Sequence, residues 1–177
     1  MKTHSTLFVL LFLTACKTEL RKTIEKYPNG AVSIEYVYPD KRDTTKFTYV
    51  AYYENGDTSF KSQVKQGMFI GEKVNYFNNG KRESIETLFK PVALDDSLYD
   101  CQIQYFSRNG NPLKNLYFKN GVKALPCKYW LDNGTTLTGT YDDSNHITVL
   151  WQWVDKNNHV IKQKKDTGTN AGFSTPF

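Results

Sequence analysis

The sequence predicts an all-β fold, an elongated antiparallel meander of about a dozen strands built from repeated hairpins. Runs rich in β-branched and aromatic residues alternate with clusters of Gly, Asn, Asp and Pro, which is typical of strands and turns. No stretch after the N-terminus carries an apolar stripe at helical spacing. A glycine also recurs every 24 to 30 residues, the period of a repeat array. The aligned positions are Gly30, Gly56, Gly80, Gly110, Gly134 and, without glycine, Asn158.

The first 16 residues, MKTHSTLFVLLFLTAC, have the order of a targeting segment. Lys2 supplies a positive start, and residues 7–13 form an apolar run much shorter than the roughly 20 residues of a transmembrane helix. A small residue before a cysteine, after a short apolar run, resembles the lipobox of bacterial lipoproteins. By this resemblance residues 1–15 are a signal peptide, and Cys16 becomes the lipid-modified first residue of the mature chain.

The resemblance implies a membrane anchor at Cys16, where two or three acyl chains would hold the protein stably. No acidic run follows Cys16, so we expect the protein in the cell envelope, on an outer membrane and facing the periplasm. The alternative is an ordinary secretory signal with an incidental cysteine. Residues 16–22 are predicted to be a lipidated tether, 23–164 the repeat domain and 165–177 a flexible tail.

The charge of the chain is modest and dispersed. The formal net charge is +5, and it becomes +4 when Lys2 leaves with the signal peptide. Basic residues are spread along the chain without a basic run, which argues against nucleic acid as a partner.

Each repeat is predicted to hold two strands and two turns. An aromatic strand leads into Asn-Gly, the strongest short hairpin signal, because both residues accept the positive φ that primed turns require. A return strand follows and turns again, as at 65–67, 119–121 and 142–145, into the next aromatic strand. The aromatic strands include 45–53, 103–106 and 146–154, and the return strands are 57–64, 81–89, 112–118 and 135–141.

The segment VKQGMFIGEKVNYFNNGKRESI, residues 64–85, resembles the variant MORN repeat of bacterial proteins. It has a lysine-containing turn with Gly67, a second glycine at Gly71, then an aromatic pair and Asn-Gly. Residues 117–134 match less completely, because Leu125 stands where the second glycine would be. The resemblance implies a MORN-like hairpin meander. Some proteins with this repeat are antitoxin components of bacterial toxin and antitoxin pairs.

Two columns of side chains are expected to run across the sheet, because the paired aromatic residues before each turn point to opposite faces. We allow one extra turn residue in the later repeats. The first column is then Tyr52, Tyr76, Tyr105, Tyr129 and Trp153, and the second is Tyr53, Phe77, Phe106, Trp130 and Val154. Such columns either bury apolar area between repeats or leave one face open for binding.

The last aromatic strand, with Leu150, Trp151 and Trp153, is where we expect an uncovered apolar patch or a cap. The candidate binding face therefore comprises Tyr52, Tyr76, Tyr105, Tyr129, Trp151 and Trp153.

Two cysteines remain in the mature repeat domain, Cys101 and Cys127, one period apart. A return strand between them would hold their Cα atoms about 9 or 10 Å apart, beyond the 4.4 to 6.8 Å that a disulfide allows. No disulfide is predicted.

We find no motif for catalysis or for a cofactor. His146 and His159 have no partner at metal-ligand spacing, and the acidic loops at 95–97 and 142–145 do not fit a calcium loop. The sequence lacks a nucleophile elbow, a phosphate-binding glycine loop and an HExxH motif. We therefore predict no metal, no cofactor and no enzymatic activity.

The leading hypothesis is a non-enzymatic membrane-anchored lipoprotein whose repeat sheet is a protein-binding or scaffold surface. One alternative, from the resemblance, is an antitoxin or immunity protein that neutralises a toxin. Another is a carbohydrate-binding envelope protein or an envelope enzyme that uses the aromatic face. The sequence leaves the oligomeric state open.

Overall fold

The computed structural model describes residues 19–141 and 148–167, and these form one open antiparallel sheet without a helix. The predicted all-β meander is therefore confirmed. Residues 1–18, with the expected signal peptide and Cys16, lie outside the described residues, as do His146 and the end of the expected tail. The strands are β1 (Leu20–Lys26), β2 (Val32–Tyr38), β3 (Lys46–Tyr52), β4 (Thr58–Lys65), β5 (Met68–Tyr76), β6 (Arg82–Leu88), β7 (Val92–Ala93), β8 (Cys101–Phe106), β9 (Pro112–Lys119), β10 (Val122–Trp130), β11 (Thr136–Tyr141), β12 (Thr148–Val154) and β13 (Val160–Thr167).

The strands lie across the sheet in chain order, from β1 at one end to β13 at the other, except for β7. The two residues of β7 pair with Met68 and Phe69 at the start of β5, beyond the part of β5 that pairs with β6. The long connection after β6 therefore contributes a short strand to the sheet. Strands also extend beyond the predicted domain, since β1 begins at Leu20 and β13 runs to Thr167.

Six turns of one design join consecutive strands at one side of the sheet, where the strand ends lie. We call this side the glycine-turn edge. In the second of them the Tyr53 N–H donates to the Asp57 carbonyl, and the Gly56 N–H donates back to the Tyr53 carbonyl. Gly56 has a φ of +89°, whereas Asn55 is not in the left-handed region. This is a hairpin loop with a bulge at a left-handed glycine, not the predicted primed turn. The six turns are 27–31, 53–57, 77–81, 107–111, 131–135 and 155–159.

The asparagine of these turns has a different role from the one expected. In four of the six turns its side-chain oxygen accepts the backbone N–H of the residue two positions on, as Asn55 does from Asp57 at 3.1 Å. In the other two turns the accepting group is the Ser107 hydroxyl or the Asp155 carboxylate. Primed turns do occur, but at the other edge, where Gln66-Gly67 and Asn120-Gly121 have positive φ at both residues. We call that side of the sheet the N-terminal edge, because β1 begins there; it is formed by strand ends and turns, not by an outermost strand.

The two faces of the sheet differ in burial. The core face carries Val64, Leu137, Val149 and Trp151, all at most 1% exposed. The largest buried cluster lies across β9 to β12, and a smaller one formed by Leu88, Val92 and Cys101 lies beside it. We call the other side of the sheet the reverse face. Most of the fully buried apolar area is therefore in the C-terminal half.

Candidate interaction surface

The expected first aromatic column is divided between the two faces. The later repeats have no extra turn residue, since all six turns have the same length. Phe106 and Trp130 therefore occupy the positions of Tyr52 and Tyr76, directly before a turn. Side-chain alternation then places the expected column on two faces, with Tyr52 and Tyr76 on the reverse face and with Tyr105, Tyr129 and Trp153 on the core face.

Trp151 does not form the uncovered patch expected on the last strand. It is 1% exposed and belongs to the core cluster. A Cβ atom at Gly139 would lie 2.7 Å from Cζ3 of its ring, so the missing side chain of Gly139 makes the space for the indole. Trp153 is half-buried against the same cluster, with Lys162 Nζ 4.6 Å from its ring centroid.

A continuous row of partly exposed aromatic rings lies elsewhere, on the core face of β2 to β5. Its rings touch in sequence: Tyr36 stacks on Phe47 with centroids 4.3 Å apart, and Tyr49, Phe60 and Phe69 meet edge to face at 5.7 to 6.1 Å. All five side chains are partly exposed. We call them the aromatic row.

A charged cluster ends the aromatic row at β5. Lys73 Nζ donates to Glu86 Oε1 at 3.1 Å and to the Tyr99 hydroxyl at 2.5 Å, and it lies 5.5 Å from the centre of the Phe69 ring. The lysine and glutamate side chains are only 16% and 12% exposed. Burial alone would lower the pKa of Lys73, but its bond to Tyr99 and the charge of Glu86 outweigh that effect and raise the pKa.

The two cysteines are buried and free. They lie on β8 and β10, with β9 between them. Desolvation, with a smaller contribution from the charge of Glu86, raises the pKa of Cys101 to about 11, and desolvation also raises the pKa of Cys127. Neither thiol is therefore ionised near neutral pH, whereas a reactive cysteine needs its thiolate.

We expect the free energy of unfolding to fall as pH rises from 9 to 11. The Cys101 thiol titrates at about 11 in the folded protein against an ordinary value of 9.0, so the folded state holds a proton that the unfolded chain has released. The raised pKa values of Lys73 and Tyr99 act in the same direction. Urea denaturation across this pH range measures the fall, which should be smaller in Cys101→Val. Equal slopes for both proteins would contradict the assignment.

The reverse face has shallow grooves, one with a mixed lining and one with a mainly polar lining. One, of about 440 Å³, is lined by Thr48, Lys61, Gln63 and Glu72 together with the apolar side chains of Ile70 and Val74. A second, of about 330 Å³, includes Tyr52, whose hydroxyl donates to Glu35 at 2.9 Å. Tyr52 therefore belongs to a polar network on the reverse face.

The part of the chain that the structure describes places no group of three His, Cys, Asp or Glu side chains where they could hold a metal ion. His159 is exposed beside the last turn, with its Nδ1 3.6 Å from Asp155. No helix long and apolar enough to cross a membrane occurs between residues 19 and 141 or between 148 and 167.

Neither a scan against protein-family models nor a search of curated proteins finds a match to this chain.

Proposed function

We propose that this chain is a non-enzymatic lipoprotein, anchored through Cys16 in the cell envelope, whose sheet binds a protein partner on the aromatic row. The observation that carries this proposal is the unbroken contact of five partly exposed rings across four strands. The membrane anchor rests on the lipobox resemblance of residues 13–16.

The shape of the surface favours a protein over a small molecule. Four neighbouring strands at about 4.8 Å spacing make a row roughly 15 Å long, and the rings lie on an open sheet face. Small-molecule sites are concave and bury most of the ligand, whereas the centres of protein interfaces are enriched in aromatic residues.

The arrangement of the rings also favours a protein over a carbohydrate. Tyr36 and Phe47 stack face to face with an interplanar angle of 24°, so each covers a face of the other. Phe60 and Phe69 meet at 75°. Ring edges and half-covered faces suit packing against apolar side chains, whereas a sugar ring needs an open aromatic face. A toxin is one member of the partner class that this surface would accept.

Photo-crosslinking in intact cells tests the proposal with a matched pair on one strand. Tyr49 and Tyr52 both lie on β3, but on opposite faces. A benzophenone side chain at position 49 is expected to link the same protein in repeated experiments, because it lies in the middle of the aromatic row. The same group at position 52 should not link that protein. Crosslinks from position 49 to lipid alone, or the same protein from both positions, would contradict the proposal.

A further inference from the structure

Four exposed apolar side chains lie along the N-terminal edge, three in the connection between β6 and β8 and one at the start of β10. Phe89 is 52% exposed, Leu94 46%, Leu98 69% and Val122 65%. We call these four residues the apolar edge cluster.

Specific contacts hold this connection against the β9 to β10 turn. The Gly121 N–H donates to the Tyr99 carbonyl at 3.1 Å, and the Asn120 N–H donates to Asp100 Oδ1 at 2.7 Å. A Cβ at Gly121 would lie only 3.0 Å from Leu98 Cδ2. Leu98 is therefore positioned by the sheet.

Phe89, at the other end of the connection, is also held in place. Its ring centroid lies 5.6 Å from that of Tyr117 on β9. Large exposed apolar groups concentrated along one stretch of a surface mark a contact with a protein or a membrane.

The chain that follows the expected lipid anchor joins the sheet at the same edge. Leu20, the first residue of β1, pairs with Tyr38 at the end of β2, on the N-terminal edge. Cys16 lies four residues before Leu20, so at most about 14 Å of chain separates them. The strand β6 is five strand spacings from β1, or about 24 Å. The chain that leads to the expected anchor therefore leaves the sheet at the edge that carries the cluster, about 24 Å from β6.

We infer that the N-terminal edge faces the bilayer and that the apolar edge cluster makes a second contact with the lipid surface. This inference rests on the proposed function, because it requires the anchor at Cys16. The anchor keeps the cluster near the membrane, so the second contact acts at high effective concentration.

The contact is apolar rather than electrostatic. Lys90 and Lys119 lie near the cluster, but so do Asp95, Asp96 and Asp100, which offset any attraction to anionic headgroups. In this orientation the strands are roughly perpendicular to the membrane plane, and the sheet lies outside the bilayer. The aromatic row runs parallel to that plane and stays open to a partner approaching from the side.

Fluorescence quenching on the full lipidated protein tests this inference in vesicles of phosphatidylethanolamine and phosphatidylglycerol. One lipid species carries a nitroxide quencher, and a fluorophore is attached at Leu98→Cys or at Val122→Cys. Leu113→Cys is the matched control, because Leu113 is exposed and apolar but lies beside the glycine-turn edge. We expect labels at 98 and 122 to lose most of their fluorescence and the label at 113 to keep it.

Each contrary outcome has its own meaning. If the protein floats with the vesicles but labels at 98 and 122 are quenched no more than the label at 113, the edge contact is overturned and the anchor stands. If Cys16→Ser protein floats as well as the unaltered chain, the anchor itself is overturned. If label 98 is shielded from a water-soluble quencher yet unaffected by the nitroxide lipid, the cluster is covered by protein rather than by lipid, and the membrane contact is overturned.

Discussion

Replacing Trp151 with alanine is expected to lower the free energy of unfolding by about 3 to 5 kcal/mol. The indole is 1% exposed and lies in the cluster formed by Leu137, Val149 and their neighbours. A single sheet has no second layer that could move in to fill the cavity. Urea denaturation followed by circular dichroism measures the loss.

Two further variants make this prediction specific. Trp153→Ala removes the same side chain two residues later on the same face, but Trp153 is only half-buried, so we expect less than half the loss. Trp151→Phe should cost about 1 to 2 kcal/mol, because the buried Nε1 of Trp151 has no hydrogen-bond partner and its removal loses no bond. Equal losses for the two alanine variants would show that the core is not centred on Trp151.

Replacing Gly139 with alanine is expected to lower the free energy of unfolding by about 2 to 3 kcal/mol through overpacking. The new methyl carbon would lie 2.7 Å from the Trp151 ring and 2.9 Å from Cys127 Sγ. Gly139 does not have a left-handed φ, so the cost is steric. Thr140→Ala, at the next and exposed position, should change stability by no more than about 0.5 kcal/mol, as measured by urea denaturation.

The two substitutions should not be additive. With alanine at 151 the ring that would collide with a methyl group at 139 is gone and only the close contact with Cys127 Sγ remains, so Gly139→Ala should then cost much less. We expect a coupling free energy on the order of 2 kcal/mol from the double-mutant cycle. Additive losses would contradict the view that Gly139 is a glycine in order to admit the ring.

The period of the turns was sufficient to predict the architecture, because a hairpin is encoded by residues close in sequence. It was harder to predict which face of the sheet each aromatic side chain occupies. Aligning the aromatic pairs with each other, rather than with the glycines, required an extra turn residue that does not exist. This alignment placed Tyr105 in one column with Tyr52 and Tyr76, although side-chain alternation puts Tyr105 on the other face. In a strand a shift of one residue exchanges the two faces.

Other features depend on register between distant residues. The contact of Lys73 with Glu86 and Tyr99 joins residues 13 and 26 positions apart, and no local pattern indicates it. The space for the Trp151 indole is indicated in the sequence, because an isolated glycine inside a strand often marks a position where another group approaches the backbone closely. Gly139 in TLTGTY is such a glycine.

The strand β1, which is outermost on one side of the sheet, gives the expected tether an adjustable length. Every residue of β1 is exposed, and the strand pairs only with β2, so β1 should open before the interior strands do. Its seven residues would then add about 24 Å of extended chain. When the apolar edge cluster releases the lipid, the body could rise from the surface by that height while the rest of the sheet stayed folded. One anchored molecule would then reach partners at different distances from the membrane.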